Sequence, residues 1–72
     1  METTDIGFAA YIHALGKDIM VRKVTPATCV FEYEDCPDTR YWQSGKAQVN
    51  GLAFLNSYKT LLRRVKDALR LR

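Results

Sequence analysis

The first apolar segment of the chain repeats with the period of a helix. Its apolar positions recur at intervals of three and four residues: Phe8, Tyr11, Ile12 and Leu15. Thr3, Thr4 and Asp5 precede the segment and carry the side-chain oxygens that are typical of helix N-caps. Gly16 follows it and suits the left-handed position that ends many helices. The pattern therefore predicts a helix over Ile6–Leu15.

Two short segments with strand character come next. Ile19–Val24 is rich in β-branched residues, and Cys29–Glu34 alternates between apolar and polar positions. Pro26 lies between them, where it favours a turn and interrupts strand pairing. One side of the second segment is predicted to face the interior: Cys29, Phe31 and Tyr33. The two segments together predict an antiparallel hairpin that is buried on its aromatic side.

A short helix is predicted after the hairpin. The segment Asp35–Asp38 combines acids with a proline, which is typical of a first helical turn. The helix would continue through Thr39–Gln43 and end near Gly45. Lys46–Val49 is predicted to be an extended connection, after which Asn50 can cap the last helix.

The last helix is the longest predicted element. Its apolar residues step by four, three, four and three: Phe54, Tyr58, Leu61, Val65 and Ala68. Three leucines are expected to widen this stripe: Leu55, Leu62 and Leu69. Such a stripe is wide enough to cover the hairpin and contact the first helix. The order helix, strand, strand, short helix, long helix predicts one small α+β domain over residues 1–72.

The size of the chain limits how much surface it can bury by itself. At 72 residues it has room for one hydrophobic core, and its 47% apolar and 26% charged residues argue against disorder. No apolar run reaches the ~18 residues of a membrane span, and the acidic N-terminus argues against a secretory signal. A core this small contributes only about 3–5 kcal/mol of stability. We therefore expect a homo-oligomer, or docking into a larger assembly, to cover further apolar surface.

Positive charge is concentrated near the C-terminus. Residues 1–45 carry four cations and seven anions, whereas residues 46–72 carry seven cations, including Arg72, and one anion. Four of these cations fall within about 60° of one another on the predicted helix and are called the basic stripe: Lys59, Arg63, Lys66 and Arg70. This separation of charge favours an anionic partner, or a head-to-tail contact between copies of the chain.

The basic stripe has two interpretations. A row of cations can follow a phosphate backbone, and Arg64 and Lys46 would extend it. The solvated face of any amphipathic helix also carries charges, and cations near a helix C-terminus stabilise its dipole. Asp67 lies within the same helix and partly neutralises the stripe. No recognisable nucleic-acid module accompanies it, so both interpretations stay open.

The aromatic pair Tyr41–Trp42 on the short helix also has two interpretations. An exposed aromatic pair is typical of a hot spot for a protein partner. The same pair can close the core over the hairpin, because so small a domain needs bulky apolar side chains.

Catalytic and metal-binding chemistry is sparse in this sequence. Cys29 and Cys36 match no zinc spacing, and an extended segment would hold them about 20 Å apart, beyond the reach of a disulfide. His13 lies beside the apolar face with no nucleophile identified near it. Glu32 and Glu34 are predicted on a solvated strand face. We predict free thiols and no enzyme activity, metal, cofactor or small-molecule substrate.

Six short segments form an ordered set that spans nearly the whole chain: Thr4–Asp5, Ala9–Tyr11, Gly16, Phe31–Asp35, Tyr41–Val49 and Leu55–Leu61. The set resembles a family of small uncharacterised proteins that is widespread in bacteriophages, prophages and other mobile elements, and in some archaea. The resemblance implies a compact α+β domain in a prokaryotic host cytoplasm or in a virion, and it carries over no catalytic residue. The turn at Thr25–Pro26 and the cysteines lie outside the pattern.

Together these observations predict a non-enzymatic, phage-related accessory protein that binds another protein or itself. Such a protein would modulate a host factor or belong to the virion, with no membrane association. The predicted contact residues are Tyr41, Trp42 and the outer face of the strands. The alternative is a nucleic-acid-binding module that uses the basic stripe.

Overall fold

Three helices and a three-stranded antiparallel sheet make up residues 1–70, the part of the chain that the computed structural model describes. The elements in chain order are β1 (Glu2–Thr3), α1 (Ile6–Ala14), β2 (Met20–Thr25), β3 (Thr28–Glu32), α2 (Asp38–Gln43) and α3 (Gly51–Arg70). The strand order in the sheet is β1-β3-β2. The predicted α+β class and the predicted order of the five elements are confirmed, with one strand added at the N-terminus.

Helix α1 begins and ends as the sequence predicts. The Oδ1 atom of Asp5 accepts hydrogen bonds from the backbone N–H groups of Gly7 and Phe8, at 2.9 and 3.2 Å. Gly16 follows the helix with φ of +88°, a conformation that a side chain would strain. All residues from Phe8 to Ile12 are buried, so α1 is a central element, not a helix with a single buried face.

The predicted hairpin is formed by β2 and β3, with each strand shifted by one or two residues. Val21 pairs with Phe31, and Lys23 pairs with Cys29. Phe31 and Cys29 are buried, as the alternating pattern predicts. Tyr33 lies just beyond β3 and is half-buried, with its ring edge-on to Phe8 at a centroid distance of 5.1 Å.

Strand β1 was not predicted. Glu2 pairs with Glu32 and Thr3 with Phe31, so β3 becomes the central strand. The N-terminal ammonium of Met1 donates to the carbonyl of Tyr33 at 2.9 Å, which continues the pairing beyond the strand. Two residues are too few to show strand periodicity, and their partners lie about thirty residues away along the chain.

Helix α3 is capped and oriented largely as predicted. The Oδ1 atom of Asn50 accepts a hydrogen bond from the backbone N–H of Ala53 at 3.0 Å. Leu61 is fully buried, and three further residues of the predicted stripe pack against the core: Phe54, Tyr58 and Val65. The helix lies along α1 and also contacts β2 and β3. It therefore closes the core across the helix-facing side of the sheet.

The expectation that three flanking leucines widen this buried stripe was wrong for two of them. Leu55 and Leu62 are 46% and 37% exposed, and Leu69 is half-buried. Helix α1 has nine residues and reaches about 13 Å, whereas the 20 residues of α3 extend about 30 Å. The body of the protein is too small to cover both sides of so long a helix.

Candidate functional site

The basic stripe lies on the outer face of α3. Its four side chains are exposed, and none of them forms an ion pair within residues 1–70: Lys59, Arg63, Lys66 and Arg70. Asp67, also exposed, lies on the same helix beside the stripe. Arg72 lies outside the described residues. The predicted placement of the stripe on a solvated helix face is therefore observed, while its binding role stays a prediction.

A row of exposed leucines runs beside the basic stripe. Leu55 and Leu62 are seven residues apart and therefore only about 20° apart around the helix axis. Leu52, at the N-terminal end of α3, is 68% exposed. Around the helix axis Leu55 and Leu62 lie between the buried stripe and the cations, whereas Leu52 lies in line with the cations, N-terminal to Lys59. The outer face of α3 thus joins apolar and positively charged side chains in one continuous surface.

Arg64 does not extend the basic stripe. Its guanidinium donates a hydrogen bond to the backbone carbonyl of Ile19, the residue before β2, at 3.3 Å. Around the helix axis it lies about 130° from the centre of the stripe. Arg64 therefore fixes α3 to the sheet. Lys46 lies outside the helix, in the connection between α2 and α3.

The two aromatic residues of α2 have different environments. Trp42 is half-buried, and its ring packs against Phe8 and Tyr11 at centroid distances of 5.9 and 5.4 Å. Tyr41 is 50% exposed. Trp42 therefore contributes to the core, whereas Tyr41 is available for contact.

Tyr11 connects this aromatic cluster to the backbone of α2. Its hydroxyl donates to the carbonyl of Asp38 at 3.1 Å. Burial raises the pKa of Tyr11, and the negative charge of Asp38 adds to the shift. The neutral phenol is the form that suits this position, where it satisfies the carbonyl and fills the core.

A contact between His13 and Ser57 was not predicted from the sequence. The Nδ1 atom of His13 and the Oγ atom of Ser57 are 2.8 Å apart and join α1 to α3. Ser57 is only 6% exposed. The two residues are 44 positions apart, and no local pattern marks them as partners. The contact satisfies a buried hydroxyl between two packed helices.

An acidic groove lies at the end of the sheet where the chain begins. It has a volume of about 700 Å³, and five acidic side chains line it: Glu2, Asp18, Glu32, Glu34 and Asp35. Lys17 is the one basic side chain in its lining, and Met1 and Met20 add apolar surface. A second groove, of about 310 Å³, lies between Trp42, Gln43 and the first strand.

Two of the acids in the groove are partly neutralised. Arg22 bridges Glu2 and Glu32 across the sheet, at 2.5 and 2.7 Å. These hydrogen bonds, to Glu32 and then to Glu2, raise the pKa of the guanidinium. Asp18 and Glu34 are exposed and have no such partner within residues 1–70. Asp35 is likewise exposed and accepts only from the Thr39 hydroxyl, so three of the five groove acids form no ion pair in this part of the chain.

Further chemistry is sparse among the described residues. Within 1–70 there is no group of three or more His, Cys, Asp or Glu side chains that is placed to hold a metal ion. Cys29 and Cys36 are both free thiols, the former buried and the latter half-buried. None of the helices in this part of the chain has the length and apolar character to span a membrane.

Comparisons with protein-family models, with curated proteins and with solved structures give no match. The geometry of the surfaces themselves is therefore the basis for the functional argument.

Proposed function

We propose that this protein is a non-enzymatic accessory protein that acts by association, with itself or with another protein, through the outer face of α3. The observation that carries the proposal is the exposure of Leu55 and Leu62, at 46% and 37%, on a helix whose opposite face closes the core. Large apolar side chains grouped on one surface, with polar residues beside them, are typical of interaction sites.

The pattern along this face is suited to a protein partner. Leu55 and Leu62 are seven residues apart, and Lys59 and Lys66 follow the same interval beside them. A helix with leucines and cations at this spacing fits an apolar groove with an acidic rim, or a second helix. The leucines would supply affinity, and the cations would supply orientation and partner choice.

Two features support a role without catalysis. Ser57, the hydroxyl nearest to His13, is buried at 6% exposure, and neither residue lines either of the two grooves described above. A nucleophile has to reach its substrate, and this hydroxyl lies between two helices. The resemblance noted above supports a phage-related setting, in a prokaryotic host cytoplasm or in a virion.

The proposal is tested by the dependence of molecular mass on protein concentration. The wild-type chain is expected to associate, and the double substitution Leu55→Ser and Leu62→Ser to weaken association at least tenfold, because both leucines lose their apolar contact. Light scattering or sedimentation gives the mass. The control Tyr41→Ser changes an equally exposed apolar side chain on α2. A larger effect of the Tyr41 change would contradict the role of α3 and favour the predicted hot spot on α2.

Nucleic-acid binding by the basic stripe is the second candidate. This candidate is favoured because the four side chains of the basic stripe are exposed and form no ion pair within residues 1–70. Four phosphate contacts on a duplex would give a salt slope of about −3.6, so binding would weaken about a hundredfold between 50 and 200 mM salt. A shift assay with Arg63→Glu and Lys66→Glu, against the control pair Lys17→Glu and Arg40→Glu, tests this. No retention of duplex or single strands at low salt would exclude it.

A further inference from the structure

The acidic groove and the basic stripe face opposite sides of the molecule. Phe31 is buried on the helix-facing side of the sheet, so the next residue, Glu32, projects from the other side. Glu2 and Met20 pair with Glu32 and share its side, which is the side that the groove occupies. Leu61 packs α3 against the helix-facing side. The outer face of α3 therefore cannot reach the groove of its own chain.

The two surfaces have complementary chemistry. The groove combines the carboxylates of Asp18 and Glu34 with Met1 and Met20, which are 67% and 66% exposed. The outer face of α3 combines four cations with the exposed leucines. Methionine side chains adapt to irregular apolar partners, and opposite charges favour one orientation of two docked surfaces. The groove and the outer face of α3 therefore carry opposite charges next to exposed apolar side chains.

We propose that the outer face of α3 docks into the acidic groove of a second copy of this chain, in a head-to-tail contact. The inference rests on the proposed function, association through α3, and assigns the partner surface. A symmetric pairing of two α3 helices is less favourable, because Lys59 and Lys66 lie beside the leucines and would approach the same cations of the other copy. The groove offers acids at that position instead.

A head-to-tail contact has a consequence for the size of the assembly. In an open assembly of docked copies, the copy at one end has a free groove. The copy at the other end has a free α3 face. Such contacts close into a ring, or continue as an open chain, instead of stopping at a dimer. The wild-type protein is therefore expected to form a series of species whose mean mass rises with concentration and falls with salt.

A complementation experiment tests the contact. The helix variant carries Leu55→Glu and Leu62→Glu, and the groove variant carries Asp18→Lys and Glu34→Lys. Each is expected to be monomeric alone at concentrations where the wild type associates. An equimolar mixture is expected to form a dimer of twice the monomer mass and nothing larger, since it contains one intact helix face for each intact groove.

The outcomes separate this inference from the proposed function. If the groove variant alone associates as strongly as the wild type, the head-to-tail contact is refuted, while association through α3 stands. A wild-type chain that stays monomeric refutes the head-to-tail contact and self-association, and leaves association with another protein as the remaining form of the proposed function. A mixture that remains monomeric also refutes the contact. The control Gln43→Lys and Gln48→Lys introduces two lysines outside the lining of the acidic groove and is expected to associate like the wild type.

Folding of each variant is checked by circular dichroism before its mass is measured. If the lysine groove variant fails to fold, Asp18→Asn and Glu34→Gln replace it with side chains of nearly the same shape. This milder change is expected to raise the apparent dissociation constant at least threefold. An unchanged constant in a folded amide variant contradicts the role of the groove.

Discussion

Two adjacent leucines of α3 test the orientation of that helix. Leu61 is fully buried and Leu62 is 37% exposed, although they are neighbours with the same side chain. Replacing each by alanine removes the same atoms and leaves a residue with high helix propensity. Any difference between the two variants therefore reports the burial of the side chain and not the chemistry of the substitution.

The magnitude for Leu61→Ala follows from complete burial. Removing a fully buried leucine costs the lost transfer free energy and leaves a cavity, together about 3 kcal/mol. With one core of this size, the 72 residues are expected to have an unfolding free energy of about 3–5 kcal/mol. The substitution thus removes a large share of the stability and lowers Tm by about 12–24 °C. Leu62→Ala loses only partly buried surface and is expected to cost about 1 kcal/mol.

Urea unfolding followed by circular dichroism measures both variants, at a protein concentration low enough to keep them monomeric. The slope of the unfolding free energy against urea should be unchanged, so that the shift of the midpoint reports stability. In the association assay the order reverses: Leu62→Ala weakens self-association, whereas Leu61→Ala leaves the outer face intact while the protein is folded. Equal losses of stability, or a greater loss for Leu62→Ala, would refute the orientation of α3 described here.

Three further substitutions test local features of the fold. Asp5→Ala removes the N-cap of α1 and is expected to cost about 1 kcal/mol in urea unfolding, whereas the control Thr4→Ala, at an exposed position, should cost little. Gly16→Ala places a side chain at φ of +88° and should cost about 1 kcal/mol, which an unchanged midpoint would contradict. The pKa of Tyr11 is raised in the folded protein, so above about pH 10 the Tyr11 phenol loses its proton more readily in the unfolded chain, and the unfolding free energy falls as pH rises. Tyr11→Phe should flatten this dependence of the unfolding free energy on pH. A pH profile identical to that of the wild type would argue against burial as the cause of the raised pKa.

The helices were predictable because their signals are local. The capping oxygens of Asp5 and Asn50 and the glycine that follows α1 act within three residues of the atoms that they affect. The periodicity of α3 likewise identified Leu61 as a core residue. Capping hydrogen bonds and side-chain spacing depend on residues close together in the chain, so they can be predicted from the sequence.

The features that were missed depend on partners distant along the chain. Strand β1 exists only because β3 offers an open edge, and the contact of His13 with Ser57 joins residues 44 positions apart. The exposure of Leu62 depends on how far α1 and the sheet extend beneath α3. Periodicity shows which residues share a face, but the size of the body beneath decides how much of that face is covered.

One angle of rotation of α3 about its axis sets both the stability and the binding surface. Leu61 and Leu62 are about 100° apart around the helix, so any rotation that buried Leu62 would begin to expose Leu61. Leu61 is the residue that is buried, because exposing a fully buried leucine would cost so small a core a large share of its stability. Leu62 is left at the edge of the core, next to the cations of the basic stripe. The exposed apolar row is therefore a consequence of closing a small core with a long helix, and association is the means by which that row can be covered without giving up the core.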